Sequence, residues 1–227
     1  MAKGDVPQDA WFHLGRRHTL ASGQKILVSW TGTMFEYLMP TLWMTHYRNT
    51  IMHDSMAAVI RIQQKFARRR GIPWGISESA CSADSGGDYG YHAFGVPQLA
   101  MKTPDGNSSV ISPYSTFLAL VVDPRSAVKN LRTMAKLGWI GKYGFYEAVD
   151  YRSKQPEVIR SWMAHHEGMS LLAVCNLLFS DAMQKYFHAE PYVQATELLL
   201  HERVPHVISI DAEESAVPAA LLTETAV

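Results

Sequence analysis

The chain has 227 residues, and 47% of them are hydrophobic, so it can bury the core of one ordinary domain or of part of a larger one. Lysine plus arginine total 21 and aspartate plus glutamate total 21, and this balance gives no electrostatic reason to expect nucleic acid or an anionic membrane as a partner. No apolar run reaches the roughly 18 residues of a membrane span, and the first residues lack the apolar segment of a signal peptide, so the bare sequence predicts a cytoplasmic location.

Helical patterns dominate the sequence, and three helices are predicted before residue 140. Residues 53–71 carry apolar side chains at helical spacing and end in three arginines and a glycine, which is typical of a helix C-terminus. Ser112 before Pro113 and Asp123 before Pro124 each predict an N-cap followed by proline at the first helical position. The two helices that start there are expected to meet at a turn and form an αα-hairpin.

Two more helices are predicted towards the C-terminus. Residues 157–179 form one apolar stretch, which indicates a central, buried helix. Residues 191–205 have an amphipathic pattern that a proline ends. Residues 1–210 are therefore expected to form the structured domain, and the small and acidic residues 211–227 are expected to form a flexible tail.

Long loops rich in aromatic residues separate the predicted helices. A loop of more than about 15 residues in a compact domain is usually functional or disordered, and the aromatic residues of 72–106 argue against disorder. We expect an all-α fold of antiparallel helix pairs in which the loops 29–40, 72–106 and 140–155 cluster at one end.

Four glutamates stand in aromatic or loop motifs and are the candidates for chemistry. Cleavage of a glycosidic bond uses two carboxyl groups, about 5 Å apart for retention and about 6.5–9.5 Å apart for inversion, and a carboxyl group beside aromatic rings suits a general acid. A non-catalytic role for these glutamates is to bind sugar hydroxyls by hydrogen bonds. The structural alternative for each is a helix cap, a structural hydrogen bond or a surface charge. The candidate catalytic residues are Glu36, Glu78 and Glu147, and Glu167 is a candidate substrate contact.

Aromatic rings stack on sugars, and polar side chains near them can bond sugar hydroxyls. The candidate substrate-binding residues besides Glu167 are Trp30, Tyr37, Trp74, Asp88, Tyr91, Tyr146, His165 and His166. The two adjacent histidines point about 100° apart on a helix and the zincin pattern is absent, so neither a metal nor any other cofactor is predicted. Cys81 and Cys175 lack metal-ligand spacing and are expected to be reduced thiols.

Eight motifs occur along the chain in the order FHLGR, SWTGTMFEYLMP, GIPWGISES, YHAFGVP, VDPRSAVKNLRTMAKLG, GKYGFYEAVDY, MAHHEGMSLLAV and ATELLLHERVP. In this order they resemble the glycoamylase-like domain of cyclic β-1,2-glucan synthases, over roughly residues 2–206. The resemblance implies an α/α toroid that works on a β-1,2-glucan chain. It implies transglycosylation that cyclises the glucan, while relatives of the fold hydrolyse the same linkage.

The resemblance also implies a larger context for the chain. In that family the domain lies between a membrane-embedded glucosyltransferase part and a phosphorylase-like part, so the parent protein is expected to be anchored in the bacterial inner membrane. The motifs correspond to the C-terminal portion of the toroid, whose upstream half and the neighbouring synthase domains would be partners. A non-catalytic glucan-binding or scaffold module, with its catalytic carboxylates upstream, is the alternative function. Glu167 stands where relatives usually have glutamine.

Overall fold

A computed structural model describes residues 1–21, 24–83, 88–102 and 109–203, so the predicted tail 211–227 lies outside the described residues. The described part is rich in helix, which confirms the coarser form of the fold prediction; the α/α toroid itself stays a prediction. Its α-helices, numbered in chain order, are α1 Met34–Leu38, α2 Ile51–Arg70, α3 Pro113–Leu118, α4 Pro124–Lys136, α5 Ala164–Leu178, α6 Ala182–His188 and α7 Pro191–Thr196.

The helix starts with proline at the first position were read correctly, but only one of the two predicted caps forms. The Asp123 side chain accepts a hydrogen bond from the backbone N–H of Ser126 and caps α4. Ser112 precedes α3 without capping it, because its hydroxyl donates to the backbone oxygen of Glu147 at 2.6 Å. The hydroxyl of Ser112 therefore joins the start of α3 to the loop that carries a candidate glutamate.

Short antiparallel strands lie before and between the helices, and the all-α prediction missed them. They are β1 His18–Ala21, β2 Gln24–Leu27, β3 Ser79–Cys81, β4 Gly90–His92, β5 Val110–Ile111, β6 Ile140–Gly141, β7 Gly144–Phe145, β8 Ala148–Asp150 and β9 Glu157–Ile159. The pairs are β1 with β2, β3 with β4 and β6 with β7, and β8 lies between β5 and β9. Strands this short contain too few alternating residues to give a period-2 signal.

The predicted helix 157–179 was wrong at its N-terminal end and in its burial. Its first residues form β9, where fully buried Ile159 pairs with Ala148, and α5 starts only at Ala164. The helix buries its polar and small side chains and exposes leucines, among them Leu171 at 69% and Leu178 at 67%. At the C-terminus, α7 ends at Thr196 and a 3₁₀ turn, Glu197–His201, continues the chain in place of the single predicted helix.

The core is centred on α3, which packs against α1, α4 and α5. Leu118 of α3 is fully buried, and so are Met34 and Leu38 of α1. Burying a side chain of this size stabilises the fold by about 1.5–3 kcal/mol. The core thereby fixes the N-terminal ends of α3 and α5 beside each other, where the candidate site lies.

Hydrogen bonds join the three predicted loop regions. The backbone N–H of Phe35 donates to the Ser77 hydroxyl at 3.0 Å, and the N–H of Ala80 donates to the Glu147 carboxylate at 3.2 Å. Gly95 lies so close to the backbone of Thr31 that any side chain there would collide with it. Within the described part of the chain, no helix is both long and apolar enough to cross a lipid bilayer.

Candidate functional site

Glu147 is a buried carboxylate with fixed partners. It immediately precedes β8 and is 4% exposed. Both of its carboxylate oxygens lie 2.9 Å from Nδ1 of His166, and Oε1 also accepts the N–H of Ala80 in β3. Its own N–H donates to the backbone oxygen of Ser161 at 3.0 Å. A sheet strand, a loop and a helix therefore position this single side chain.

His166 lies in the first turn of α5 and connects Glu147 to two tyrosines. Its ring is 2% exposed and stacks on Tyr114 with centroids 3.7 Å apart and planes 9° apart. Its Nε2 lies 3.4 Å from the hydroxyl of Tyr91. Stacking and two polar contacts leave the imidazole little rotational freedom, so Nδ1 stays directed at the carboxylate.

Glu78 is the second carboxylate of the group, at the residue before β3. It is half-buried, and its Oε1 accepts a hydrogen bond from the Tyr91 hydroxyl at 3.0 Å. Its backbone oxygen accepts from the hydroxyl of Tyr114 at 3.0 Å. The structure thus forms a continuous network in the order Glu78, Tyr91, His166 and Glu147, which we call the carboxylate network.

The two tyrosines of the carboxylate network differ in exposure. Tyr91 is 43% exposed and forms the open side of the network, whereas Tyr114 is 3% exposed. Burial, together with the nearby Glu78 carboxylate, raises the pKa of both phenols above the ordinary tyrosine value. Both hydroxyls therefore keep their protons at neutral pH and act as hydrogen-bond donors.

Glu167 and His165 flank the network from the same helix. Burial, together with the charge of Glu147, raises the pKa of Glu167, and His166 partly offsets this increase. Partial burial of the ring and the neighbouring His166 lower the pKa of His165. A carboxyl group with a raised pKa retains its proton to higher pH and can donate it to an oxygen atom of a ligand.

Glu36 has its hydrogen bonds within its own loop. Its carboxylate accepts from the Ser29 hydroxyl at 2.8 Å, from the N–H of Thr33 at 3.0 Å and from the N–H of Thr31 at 3.1 Å. The Thr33 hydroxyl in turn accepts the N–H of Glu36, which completes a capping box at the start of α1. These contacts support the structural alternative for Glu36.

The remaining predicted residues are distributed over the surface and the core. Tyr37 is 4% exposed and donates to the backbone oxygen of Leu27, and Trp74 is 8% exposed within the core. Trp30 is 62% exposed, and Asp88 lies on the surface before β4. The candidates that the structure brings together are Glu78, Tyr91, Tyr146, Glu147, His165, His166 and Glu167.

Sequence reasoning missed three residues around the network. Tyr114 was read only as part of a helix start. Asp150 is buried and accepts from Arg152 and from the N–H of Ser82; burial alone would raise its pKa, but these hydrogen bonds hold it below the ordinary value. The ring of Trp162 lies 5.1 Å from that of Tyr146. Trp162 precedes α5, so no helical spacing to His166 marked it in the sequence.

The described residues contain no group of three or more His, Cys, Asp or Glu side chains that could hold a metal ion. The chemistry that the site offers is that of carboxyl, imidazole and phenol groups. Carboxyl groups can protonate an oxygen atom or attack a carbon, and phenol and imidazole groups can orient them or bond hydroxyls.

Comparisons with known proteins give one family and several solved structures with a similar fold. The Glycoamylase family model, described as "Putative glucoamylase", matches residues 2–191. The cyclic β-(1,2)-glucan synthase NdvB of Rhizobium meliloti (strain 1021) is 42% identical over 93% of this chain and 8% of that protein. Two solved structures have a TM-score of 0.62 and 19% identity over 82% of this chain and 46% of theirs. They are a "putative glucoamylase" from Bacteroides caccae ATCC 43185 and the endo-β-1,2-glucanase from Chitinophaga pinensis in complex with sophorotriose and glucose. This chain therefore spans less than half the length of each of these relatives.

Proposed function

Because the chain belongs to the glycoamylase family, we propose that it forms part of a carbohydrate-active domain that binds β-1,2-glucan and acts on its glycosidic bonds. The observation that carries the proposal is the carboxylate network, in which Glu78 and Glu147 are joined through Tyr91 and His166. The name of the 42% identical relative, a cyclic β-(1,2)-glucan synthase, supports this choice of glucan.

The two carboxyl groups provide the parts that glycosidic chemistry needs. One protonates the oxygen of the leaving sugar, while the other attacks the anomeric carbon or activates the acceptor oxygen that does so. When the acceptor is water, the bond is hydrolysed; when it is a hydroxyl of the same glucan, the bond is transferred and the chain can close into a ring. We assign this pair of roles to Glu78 and Glu147.

The neighbours of the pair act as positioning residues in this proposal. Tyr91 donates to Glu78 and is exposed enough to meet a ligand, while His166 holds Glu147 from the buried side. Tyr114 supports both, because its ring stacks on His166 and its hydroxyl donates to the backbone of Glu78. Preorganised contacts of this kind keep catalytic groups in place before substrate arrives.

A non-catalytic glucan-binding or scaffold module is the second candidate function. The low exposure of Glu147, at 4%, favours it, because a buried carboxylate that is already hydrogen-bonded can serve the fold alone. In this alternative the exposed side chains Tyr91 and His165 contact the glucan, and catalytic carboxylates lie elsewhere in the protein.

We also propose that another region of the same protein covers the exposed face of α5. Leu171, Leu178 and Phe179 are each more than 60% exposed on or directly after this helix. Contiguous exposed apolar side chains are typical of a contact surface. An upstream half of a toroid would be such a partner.

The test of the proposed function uses Glu78→Gln and Glu147→Gln in the full-length protein, with the exposed Glu157→Gln as the matched control. Glucan binding and turnover of β-1,2-glucan are measured separately. We expect each site variant to lose about 100-fold or more in turnover with binding nearly retained, since general acid–base groups contribute that much. Wild-type turnover in both would contradict the catalytic assignment, and reduced binding with wild-type turnover would favour the binding module.

A further inference from the structure

The hairpin formed by β6 and β7 presents an aromatic side chain at its tip. Its two-residue turn is Lys142 and Tyr143, and Tyr143 is 65% exposed. The ring of Tyr143 nevertheless lies 5.2 Å from that of Trp162, at 82°, and the ring of Trp162 lies 5.1 Å from that of Tyr146. We call these three residues the aromatic platform.

Two glycines of the hairpin permit this arrangement of rings. Gly141 lies against the ring of Tyr146 so closely that a Cβ would stand 2.6 Å from it, so no other residue fits without moving the ring. Gly144 has φ of +111°, a backbone conformation that favours glycine. Tyr143 is therefore presented by a defined turn, whose position the packed Tyr146 fixes.

The platform also contains a buried donor that needs an acceptor. Nε1 of Trp162 is buried and has no hydrogen-bond partner in the described parts of the chain, and the same holds for the hydroxyl of neighbouring Ser161. An indole N–H can only donate, and leaving it without an acceptor is costly. Sugar hydroxyls are acceptors, and an aromatic face beside a polar group is the usual form of a sugar contact.

The platform adjoins the carboxylate network. Tyr146 directly precedes Glu147, and a Cβ placed on Gly144 would lie 3.9 Å from Oε2 of Glu167. Two cations stand beside the rings, with Lys142 Nζ 5.0 Å from the centroid of Tyr143 and Arg160 Cζ 5.8 Å from that of Tyr146. Both can donate hydrogen bonds to hydroxyls.

We propose that the aromatic platform is a further glucan-binding subsite, which stacks a glucosyl residue on Tyr143 next to the residue held at Glu78 and Glu147. The inference rests on the proposed function, since it takes the same glucan chain as ligand. It adds a length requirement: a glucan long enough to reach the hairpin tip binds more tightly than one that fills only the carboxylate network.

The test is the length dependence of binding by the full-length protein and its Tyr143→Ala variant. Affinities for β-1,2-gluco-oligosaccharides of increasing length are measured by calorimetry. We expect Tyr143→Ala to weaken binding of long chains about 2- to 10-fold, the effect of one lost aromatic stacking contact, and to leave the shortest chains unaffected. Tyr143→Phe keeps the ring and should restore the affinity, and Trp162→Phe should give a smaller loss because only the N–H donor and part of the ring are removed.

Tyr192→Ala is the matched control, because Tyr192 is a comparably exposed tyrosine, at 58%, on α7. Equal affinities of wild type and Tyr143→Ala at every chain length would overturn the subsite, and if Glu78→Gln still loses turnover the proposed function stands. A wild-type protein that neither binds nor turns over β-1,2-glucan would overturn the proposed function and the subsite together.

Discussion

Two regions of the molecule, residues 29–40 and 140–150, each place a glutamate among aromatic residues, yet they use it in opposite ways. Glu36 takes its hydrogen bonds from Ser29, Thr31 and Thr33, all within seven residues of it. Glu147 takes them from Ala80 and His166, which are 67 and 19 residues away. Similar aromatic surroundings therefore do not imply a similar role. The two glutamates differ in how far along the sequence their hydrogen-bond partners lie.

The two sets of hydrogen bonds also contribute differently to the stability of the fold. Glu36 accepts the N–H of Thr33, the N-cap of α1, and that of Thr31 just before it, so its contacts stabilise the start of α1 directly. Glu147 is buried with a titratable imidazole and is held there only because α3, α5 and β3 are all in place. Buried polar pairs of this kind add little net stability and are commonly retained for another reason.

The largest expected effect comes from separating Glu147 from its helix partner. His166→Ala removes the hydrogen bond to both carboxylate oxygens and the stacking on Tyr114, and it leaves a buried carboxylate short of a partner. We expect a local loss of about 3 kcal/mol or more, measured as reduced protection of the α5 amides in hydrogen exchange of the full-length protein. Glucan turnover should fall in the same variant.

The control for this variant is His166→Asn, whose side-chain N–H₂ can replace the Nδ1 donor while the ring is lost. It should recover part of the α5 protection that His166→Ala loses. If His166→Ala keeps wild-type protection and turnover, Glu147 does not depend on His166 and the contrast with Glu36 fails.

Much of the helical framework could be predicted, because its signals are local. The Asp123 and Pro124 start of α4 and the glycine at the end of α2 follow from the chemistry of one or two residues. The residues before α5 were misread, because Glu157–Ile159 forms a strand only through pairing with β8. Tertiary pairing of that kind overrides a local helical pattern.

The candidate site was predictable by residue type but not by arrangement. Glu78, Glu147 and His166 were all singled out, but no pattern in the sequence shows that Glu147 meets His166 or that Tyr91 meets Glu78. The structural role of Glu36 was predictable, since threonine followed three residues later by glutamate is a capping-box pattern. A helix cap was accordingly one of the alternatives predicted for Glu36.

A smaller loss of stability is expected at Glu36, whose hydrogen-bond partners are local in sequence. Glu36→Ala removes the acceptor of the N–H groups of Thr31 and of the N-cap Thr33, and should cost about 1–2 kcal/mol, the range measured for helix caps. Thr33→Ala, which deletes the other half of the capping box, is the matched variant and should cost a similar amount. Protection of amides in α1 reports the loss. Glucan turnover per folded molecule should be unchanged, and a turnover defect larger than the folding defect would return Glu36 to the candidate catalytic residues.

The smallest effect is expected at Glu167, which is half-buried and close to Glu147. Unlike Glu36 and Glu147, its side chain has no fixed partner in the described hydrogen-bond network. Burial, together with the charge of Glu147, raises its pKa in the folded protein.

The folded state therefore holds the Glu167 proton more tightly than the unfolded state does, so ionising this carboxyl group weakens folding. The stability of the wild type should fall as pH rises from the ordinary glutamate pKa to the raised one, and remain lower above it. Glu167→Gln has no charge to gain, so its advantage over the wild type should be absent in acid, grow across this interval and then stay constant. We expect less than about 1 kcal/mol, because solvent screens a half-exposed group. Amide protection of α5 in wild type and variant, followed across this pH range, measures the difference; parallel curves would show that the folded environment does not oppose ionisation of Glu167.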